Sequence, residues 1–438
     1  MKRKASKQAA PTADQPSEAD VRPLIPARLG KFRSGFIPYG WSFLDEDDVA
    51  AVAEAMRQEI ITTGPTVQAF EAAFAEAVGV EHAVACNSGT AALHLIAMAM
   101  GMGPGDLAIV PSVTFLATAN AMRYVGADVQ FADVDPDTGL LTPETLEQAL
   151  QATQGRPVKA VFVVHMNGQT ADLEGIRAVA DRHGLLVAED ACHALGTTYE
   201  ARLPSGDAPQ TCRVGDCSHS HFASFSFHPV KTITTGEGGM VTTNDPAHAE
   251  VMRRLRSHGV VFDPERFRHK DMGLDSRGEK NPWYHEMHDL GFNFRITDFQ
   301  CALGLQQVAR LEQFAARRRE IMQTYDARFA GLAPLLQPVP RRAGVDPCLH
   351  LYALLIDFSQ APLDRAELIL KLREQNVGTQ VHFIPVHRQP YYRDLYGDLD
   401  LPGAMAYYER ILSIPFYPAM KDRDVEFVAR TIKATLGV

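Results

Sequence analysis

The sequence predicts an α/β protein with two domains. The larger one is a mainly parallel sheet covered by helices, and a smaller α+β domain follows it. Between about residues 82 and 245, short apolar runs such as "VKAVFVVH" alternate with helical stretches such as "LEGIRAVADRHG", as parallel strands joined by crossover helices do. The runs are almost continuously apolar, which is typical of strands buried on both faces. After about residue 335 the pattern changes to strands such as "LHLYALLIDF" and "GTQVHFI" mixed with helices such as "RAELILKLREQN".

These patterns divide the chain into a tail (1–34), a large domain (35–310) and a C-terminal domain (311–438). The tail is polar and has no apolar segment after its basic start, so we expect a disordered segment and not an export signal. "FLDEDDVAAVAEAMRQ" predicts a helix with an acidic first turn, which suits the helix dipole. Residues 246–260 predict another helix, and 261–290 a polar irregular excursion. "DFQCALGLQQVARLEQFAARRREIMQTYDARF" predicts one long helix joining the two domains.

Composition excludes several classes of function. The 438 residues include 43 basic and 53 acidic side chains, a net charge of −10, which argues against nucleic acid or an anionic membrane as the main partner. No apolar run reaches the roughly 18–20 residues of a membrane span. Six scattered cysteines without a signal peptide suit reduced thiols. We therefore expect a cytoplasmic protein that binds neither nucleic acid nor membrane.

Polar residues that follow strands are the first candidates for a site, because ligands of open α/β sheets bind beyond the carboxyl ends of the strands. Ser88, Gly89 and Thr90 follow the strand "HAVACN" and open a helix, whose N-terminal amides suit a phosphate. Taken alone, the same residues are equally well explained as a plain N-cap. Phe115 follows "PSVT" and could cover a flat ligand, although by itself core packing is the more common role.

Two further strand ends carry Asp190 and Lys231. Asp190, with His193 three residues on, follows "GLLVAE" and suits either a cationic ring nitrogen or the N-cap of a next helix, on which His193 would share its face. Lys231 lies in the apolar segment "FASFSFHPVKTITTGEGGM" after Ser226, and the nearest following carboxylate is Glu237. Since lysine is rarely buried without a partner, a Schiff base with an aldehyde cofactor accounts for it better than an ion pair.

Hydroxyl, aromatic cover, carboxylate and lysine thus appear in chain order, each after a strand. This order predicts a site for pyridoxal 5′-phosphate (PLP), with a phosphate cup, a ring cover, a partner for the pyridinium nitrogen and a lysine for the aldehyde carbon. Each residue alone is commonplace, and the prediction depends on the four together.

Over roughly residues 35 to 435 the chain resembles the fold-type-I, PLP-dependent sugar aminotransferases. The matching stretches are "ACNSGTAALHL", "PSVTFLATANA", "EDACHALG", "SFSFHPVKTITTGEGGMVTTND" and "GFNFRITDFQCALGLQQ". The resemblance implies that Lys231 binds the cofactor covalently and that Asp190 bonds its pyridinium nitrogen. It also implies that Gly89, Thr90 and Ser226 hold the phosphate and that Phe115 covers the ring. With Ser88 and His193 from the strand ends, these are the predicted cofactor-binding residues. Relatives that remove a sugar hydroxyl carry histidine at the lysine position, so Lys231 favours amino transfer.

The resemblance also implies a partner subunit and a substrate. Asn293, in "GFNFR", would reach the cofactor phosphate of a neighbouring subunit, which makes the protein a homodimer with shared active sites. "RLRSHGV", "NPWYHEMHDLGFNFRITDFQ" and "GTQVHFIPVHRQPYY" are similar to the pseudaminic acid 4-aminotransferases. These move the amino group of L-glutamate to C4 of a UDP-linked 4-keto-6-deoxy-N-acetylhexosamine. The alternative is another nucleotide-sugar 4-aminotransferase, such as a perosamine-type enzyme acting on a GDP-sugar. The tail and the stretches 201–217 and 261–281 depart from the family pattern.

Other motifs are weaker. "CRVGDCSHSH" brings together Cys212, Cys217, His219 and His221, but the cysteine spacing is looser than in most zinc sites and we expect no metal. His382, His387 and Arg388 in "VHFIPVHRQPYY" are candidates for the nucleotide diphosphate or the sugar, with a strand and solvated turn as an equally good explanation. "TTGEGG" is not a nucleoside-triphosphate loop, because no G-x-x-x-x-G-K-[ST] occurs. A cofactor-binding regulator would be expected to carry a basic DNA-binding region, and the chain has only a short "KRK".

Overall fold

A computed structural model describes residues 35–438 except 205 and 207. The predicted tail, residues 1–34, lies outside the described residues. No helix in the described part of the chain is long and apolar enough to cross a bilayer.

The described residues form helices and strands in an order that alternates through the first two thirds of the chain. The helices are α1 (Glu46–Ala55), α2 (Pro65–Val78), α3 (Gly89–Ala99), α4 (Leu116–Tyr124), α5 (Pro143–Ala152), α6 (Leu173–His183), α7 (Pro246–Leu255), α8 (Lys270–Gly273), α9 (Asp298–Ala309), α10 (Leu311–Phe329), α11 (Arg365–Glu374), α12 (Pro390–Tyr396), α13 (Pro402–Arg410) and α14 (Asp422–Leu436). The strands are β1 (His82–Cys86), β2 (Leu107–Pro111), β3 (Asp128–Ala132), β4 (Ala160–Val164), β5 (Leu186–Asp190), β6 (Thr198–Arg202), β7 (Pro209–Arg213), β8 (Phe222–Ser226), β9 (Gly239–Thr243), β10 (Val260–Val261), β11 (Glu286–Met287), β12 (Leu336–Pro338), β13 (Val345–Asp346), β14 (Tyr352–Ile356) and β15 (Ile411–Ile414).

The main sheet has seven strands in the order β1-β9-β8-β5-β4-β2-β3. The pairs from β8 to β3 are parallel, while β9 runs antiparallel to both β8 and β1. The predicted mainly parallel sheet is therefore confirmed. Because β1 again runs in the direction of β8, the ends of β1, β2, β4, β5 and β8 meet at one edge.

Helices cover both faces of this sheet, as the apolar strands predict. In β4, Val161 and Val163 belong to one apolar cluster, which includes residues of α2, α5 and α6. Ala160 and Phe162 belong to the other, which includes residues of α3, α4 and α7. The alternation follows from the two-residue period of a strand. Because both faces of each strand are packed, the positions of the residues at the strand ends are fixed.

The C-terminal part contains the antiparallel sheet β12-β14-β15. Its apolar cluster combines residues of these strands with residues of α10, α11 and α14. This arrangement is the α+β layer that the sequence predicts, although the predicted domain boundaries stay a prediction.

The predicted long helix is wrong in one respect, because two helices take its place. The chain bends at Arg310, whose backbone (φ −107°, ψ 8°) is not helical. The Arg310 guanidinium forms ion pairs with Asp45 and Asp48 at the start of α1. We attribute the bend to this tertiary contact, because the sequence on either side is continuously helical in pattern.

Two other predicted elements differ. The helix predicted over 246–260 ends at Leu255, and His258 and Gly259 (φ 62° and 71°) follow in the left-handed region, where a right-handed helix cannot continue. The strand predicted for "GTQVHFI" does not form. Its backbone hydrogen bonds go to separate places, Gly378 to residue 37 and Gln380 to 413, and Val386, two residues after the segment, bonds to residue 112.

The stretches that depart from the family pattern form small structures of their own. The described residues of 201–217 include most of a β6–β7 hairpin, which pairs with β13. The excursion after α7 holds the short pair β10–β11 and the single turn of α8.

Candidate active site

A cavity of about 410 Å³ lies at the edge where the strand ends of the main sheet meet. Most of its walls come from the residues that directly follow β1, β2, β5 and β8, and residues 350, 382 and 383 close it from the C-terminal part. The predicted residues found among its lining are Ser88, Gly89, Thr90, Phe115, Asp190, His193, Ser226, Lys231 and His382. Predicted residues as far apart in sequence as Ser88 and His382 therefore share one chamber, as expected for ligand sites of open α/β sheets.

The N-terminus of α3 forms one wall. The Ser88 hydroxyl caps the helix by accepting from the Ala91 amide at 3.1 Å, so the N-cap interpretation is confirmed. The amides of Gly89 and Thr90 have no acceptor within the described residues, and both residues line the cavity. A Cβ at position 89 would lie 2.7 Å from the Ser226 Cβ, closer than two carbons can approach, so only glycine fits against β8. The helix N-terminus is therefore capped by Ser88 and still has two free amides, those of Gly89 and Thr90, that can bind an anion.

Asp190 ends β5 and is only 6% exposed. Its Oδ2 accepts from the Thr118 hydroxyl at 2.6 Å, and its Oδ1 accepts from the Cys192 amide at 3.3 Å. Within the described residues it forms no salt bridge. Turns follow it where a helix was expected, so the N-cap alternative and the shared helical face with His193 are both wrong. A buried carboxylate held only by neutral donors is suited to a cationic ligand.

Lys231 lies in the turn that follows β8 and lines the cavity. Burial lowers the pKa of its ammonium group, and Cys192 and Asp190 oppose this shift by Coulomb attraction. Glu237 also lines the cavity and is exposed, and among the described residues it forms no salt bridge with Lys231. The alternative of an ion pair is therefore wrong, and the lowered pKa increases the fraction of free amine, which is the nucleophilic form.

Three buried imidazoles lie around the lysine. Burial lowers the pKa of His193 and His350 well below the usual histidine range, and that of His382 to about 3, so all three are neutral near pH 7. The rings of His193 and His350 are 4.6 Å apart. His382 is fixed by its Nδ1 contact of 2.9 Å with the Ser413 hydroxyl. The Nδ1 of His193 has no hydrogen-bond partner among the described residues. Because buried polar atoms are normally hydrogen-bonded, this nitrogen is a candidate for contact with a ligand.

Phe115 forms part of the open side. It is 55% exposed and precedes α4 directly, with its ring 5.9 Å from that of Phe383. The core-packing explanation is therefore wrong for this residue. Two aromatic side chains from distant parts of the sequence form an apolar wall against which a flat ring can pack.

Three predicted residues are not among the cavity lining. Asn293 is exposed, and its carbonyl accepts from the Asn87 side chain at 3.4 Å. His387 is buried with its Nδ1 2.6 Å from the Ser112 hydroxyl, and burial lowers its pKa to about 4. Arg388 pairs with Asp398 at 3.8 Å near the surface. These three residues do not line the cavity of a single chain, and their predicted ligand contacts stay predictions.

The cysteine and histidine cluster of 212–221 is occupied by other contacts. His219 lies 3.0 Å from the Tyr199 hydroxyl and 2.8 Å from the Arg202 carbonyl, and His221 Nδ1 accepts from the Val187 amide. Within the described residues, no group of three or more potential metal ligands is placed to hold an ion.

Sequence reasoning missed several residues that line the cavity, and also Thr118, which is not part of the lining. Thr118 holds Asp190, and Tyr39, His350 and Phe383 come from segments that precede or follow the predicted strand ends. Thr118 lies four residues after Thr114, with the start of α4 between them, and this pair of threonines beside Phe115 is the signal that could have identified it. The others have no local signal, because only tertiary packing brings them to the site.

Comparison with known proteins agrees with this geometry. The model of the DegT/DnrJ/EryC1/StrS aminotransferase family matches residues 43–433. The spore coat polysaccharide biosynthesis protein SpsC of Bacillus subtilis is 39% identical over 404 residues, which cover 92% of this chain and 97% of that protein. The structure of Helicobacter pylori PseC, an aminotransferase involved in pseudaminic acid biosynthesis, superposes with a TM-score of 0.80 at 27% identity, covering 92% and 99% of the two chains. A Streptococcus pneumoniae sugar aminotransferase in its PLP form superposes with a TM-score of 0.79 at 26% identity, covering 92% of this chain and 99% of that chain. The pyridoxamine 5′-phosphate form of the same protein is also similar.

PLP fits the residues present. The free amides of Gly89 and Thr90 provide an anion cradle, and the unpartnered Nδ1 of His193 provides a polar contact. The buried carboxylate of Asp190 and the amine of Lys231 stand in the same chamber. These groups match, in turn, the phosphate, a ring substituent, the ring nitrogen and the aldehyde of the cofactor.

Proposed function

The chain belongs to the DegT/DnrJ/EryC1/StrS aminotransferase family and is a PLP-dependent sugar aminotransferase. From this premise we propose that it moves the amino group of L-glutamate to C4 of a UDP-linked 4-keto-6-deoxy-N-acetylhexosamine, in the manner of pseudaminic acid biosynthesis. The observation that carries the proposal is the single cavity that unites Lys231, Asp190 and the α3 N-terminus.

The proposed contacts follow from the geometry of the cavity. Gly89 and Thr90 bind the cofactor phosphate through their amides, with Ser88 and Ser226 beside them. Asp190 bonds the ring nitrogen, and the neutral His193 bonds a polar ring substituent. Phe115 covers the face of the ring from the open side.

Lys231 has two tasks in this proposal. Its amine would hold the cofactor by condensing with the aldehyde, with loss of water, and once displaced by the amino donor the free amine would move a proton from and to the α-carbon of the donor as general base and acid. The lowered pKa suits both tasks, because each requires the unprotonated amine during part of the cycle. PLP supplies the electron sink that acidifies the α-hydrogen of the donor. The Asp190 carboxylate stabilises the cationic ring on which this acidity depends.

Two findings support the sugar substrate. PseC, which acts in pseudaminic acid biosynthesis, superposes over 99% of its length, and SpsC, a spore coat polysaccharide biosynthesis protein, shares 39% of its residues. "NPWYHEMHDLGFNFRITDFQ" and "GTQVHFIPVHRQPYY" add their resemblance to the pseudaminic acid 4-aminotransferases. We therefore place the substrate among nucleotide-linked 4-keto sugars used for surface glycans. The alternative remains a GDP-sugar 4-aminotransferase of the perosamine type.

A homodimer with shared sites belongs to the same proposal. Asn293 is exposed and lies beside the end of β1, where its carbonyl meets Asn87 directly before the α3 N-terminus. The preceding stretch contains several exposed large apolar side chains, among them Trp283, Met287 and Leu290. Exposed apolar side chains of this kind are suited to a protein interface, and sedimentation of the holoenzyme would measure the oligomeric state.

The test is a glutamate-dependent assay of the holoenzyme against a panel of UDP- and GDP-linked 4-keto sugars, with products identified by mass and NMR. We expect an axial or equatorial C4 amine on a UDP-N-acetylhexosamine and stoichiometric 2-oxoglutarate. Reaction of the GDP series alone would overturn the pseudaminic assignment. Failure of the whole panel, with cofactor bound, would overturn the nucleotide-sugar assignment.

A further inference from the structure

Thr118 links the buried carboxylate of the site to a second hydroxyl. Its Oγ1 lies 2.6 Å from Asp190 Oδ2 and 2.7 Å from Thr114 Oγ1. Thr118 and Thr114 are almost fully buried, at 0% and 1% exposure. The three side chains form a continuous chain of short hydrogen bonds, which runs from the turn after β2, through the first turns of α4, to the end of β5.

The donor and acceptor in each of these hydrogen bonds follow from the number of protons available. An ionised carboxylate only accepts, so the single hydroxyl proton of Thr118 points to Asp190. The Thr118 oxygen then accepts a hydrogen bond from the Thr114 hydroxyl, so both hydroxyl protons point towards Asp190. The Phe115 carbonyl, at 3.3 Å, is the competing acceptor for the Thr118 proton, and the charged and closer carboxylate is the stronger of the two.

We propose that Thr118, supported by Thr114, is a positioning residue that holds the Asp190 carboxylate in place for the ring nitrogen of the cofactor, so that the proton they share stays on that nitrogen. This inference rests on the proposed role of Asp190 and adds a residue to it. Thr118 acts through Asp190 and is not among the residues that line the cavity.

The physical reason is the cost of a buried charge. Asp190 has no salt bridge within the described residues, so hydrogen bonds must replace the water that its carboxylate has lost. The Thr118 bond stabilises the anion, and the Thr114 bond polarises Thr118 further. The same bond occupies Oδ2, while Oδ1 accepts only the longer 3.3 Å bond from the Cys192 amide and has a further lone pair for the ring nitrogen. Without Thr118, the proton moves towards the carboxylate and the ring becomes a weaker electron sink.

The experiment uses holoenzyme reconstituted with PLP carrying ¹⁵N at the ring nitrogen. Thr118→Val removes the hydroxyl at nearly constant volume, and Thr118→Ser restores it. We expect the ¹⁵N resonance of wild type and Thr118→Ser to be that of a protonated pyridine, and that of Thr118→Val to move towards the unprotonated position. Turnover of Thr118→Val should fall about tenfold, as for loss of a hydrogen bond to a charged group.

Thr114→Val is the second variant, and it covers the case in which Thr118→Val does not fold. It should shift the resonance in the same direction by a smaller amount, since Thr118 still donates to Asp190. Unchanged ¹⁵N resonances in the folded variants, with or without a loss of turnover, would overturn the inference and indicate a packing role.

Asp190→Asn separates this inference from the proposed function. If its ring nitrogen loses the proton while Thr118→Val keeps it, the inference fails and the role of Asp190 stands. If Asp190→Asn also leaves the resonance unchanged, Asp190 is not the pyridinium partner and both statements fail.

Discussion

The strand ends of the large sheet and the segment 378–388 both contribute to the cavity, but they do so by different means. At the strand ends, Asp190 ends a short buried strand, and Gly89 and Lys231 come after two others, so that the sheet fixes their positions. The segment 378–388 forms no strand, and it contains a cis peptide bond between His382 and Phe383. It reaches the cavity because separate contacts with residues 37, 413 and 112 hold its backbone.

The two regions are therefore suited to different tasks, the strand ends to binding the cofactor and the irregular segment to contacting the substrate. Regular strands place the residues that bind a cofactor, and their spacing in the sequence is short and recognisable. The irregular segment places His382 and Phe383 on the opposite wall, where a substrate would meet them. Such irregular segments commonly carry specificity on a rigid scaffold, so we expect substitutions in the two regions to have different consequences.

The largest effect is expected at Lys231. Lys231→Ala should leave a folded protein that lacks the visible absorption band of lysine-bound cofactor, with turnover lower by about 10³-fold or more, because the general acid–base group is lost. Absorbance spectra and a glutamate-dependent assay measure both effects. Lys231→Arg is the matched control that keeps the charge, and it should be equally inactive. Normal turnover in either variant would contradict the proposed mechanism.

Asp190→Asn should come next. The variant keeps the shape of the side chain and should still bind PLP, but it lacks the charge that stabilises a cationic ring, so proton abstraction should slow by about 10²-fold. Single-turnover kinetics with α-deuterated glutamate would show the loss as a slower, isotope-sensitive step. Rates near those of wild type would refute the role of this carboxylate.

Gly89→Ala tests how closely α3 packs against β8. The added Cβ would lie 2.7 Å from the Ser226 Cβ, so the helix must shift, at a cost of about 1–3 kcal/mol in unfolding free energy. Cofactor affinity should weaken as the two amides move. Gly103→Ala is the control, since a Cβ added there would meet nothing within 4 Å among the described residues. Equal melting temperatures and cofactor affinities for both variants would contradict the close packing.

The smallest effects are expected in the irregular segment. His387→Ala removes the 2.6 Å contact with Ser112 that holds the segment, and we expect about 1 kcal/mol lower stability with a rise in KM for the sugar and little change in kcat. Arg388→Ala, on the surface beside Asp398, should change KM less. A larger effect of Arg388→Ala would favour the direct substrate contact that the sequence suggested, and would place this residue in a site of the assembled protein.

The sequence alone determined the mainly parallel sheet, the helices on both of its faces and the order of the candidate cofactor residues. These features follow from local patterns, because apolar runs with a two-residue period become buried strands and the residues after them share one edge. Ser88, Gly89, Thr90, Asp190 and Lys231 could be identified for this reason, and the structure brings them into one cavity.

Tertiary structure decided the rest. The bend at Arg310 depends on two carboxylates more than 260 residues earlier, and the shape of 378–388 depends on backbone partners from three other segments. The hydroxyl that orients Asp190 comes from a helix 72 residues away in sequence. Local patterns contain no information on such contacts, because their free energy arises only when distant parts of the chain are already packed together.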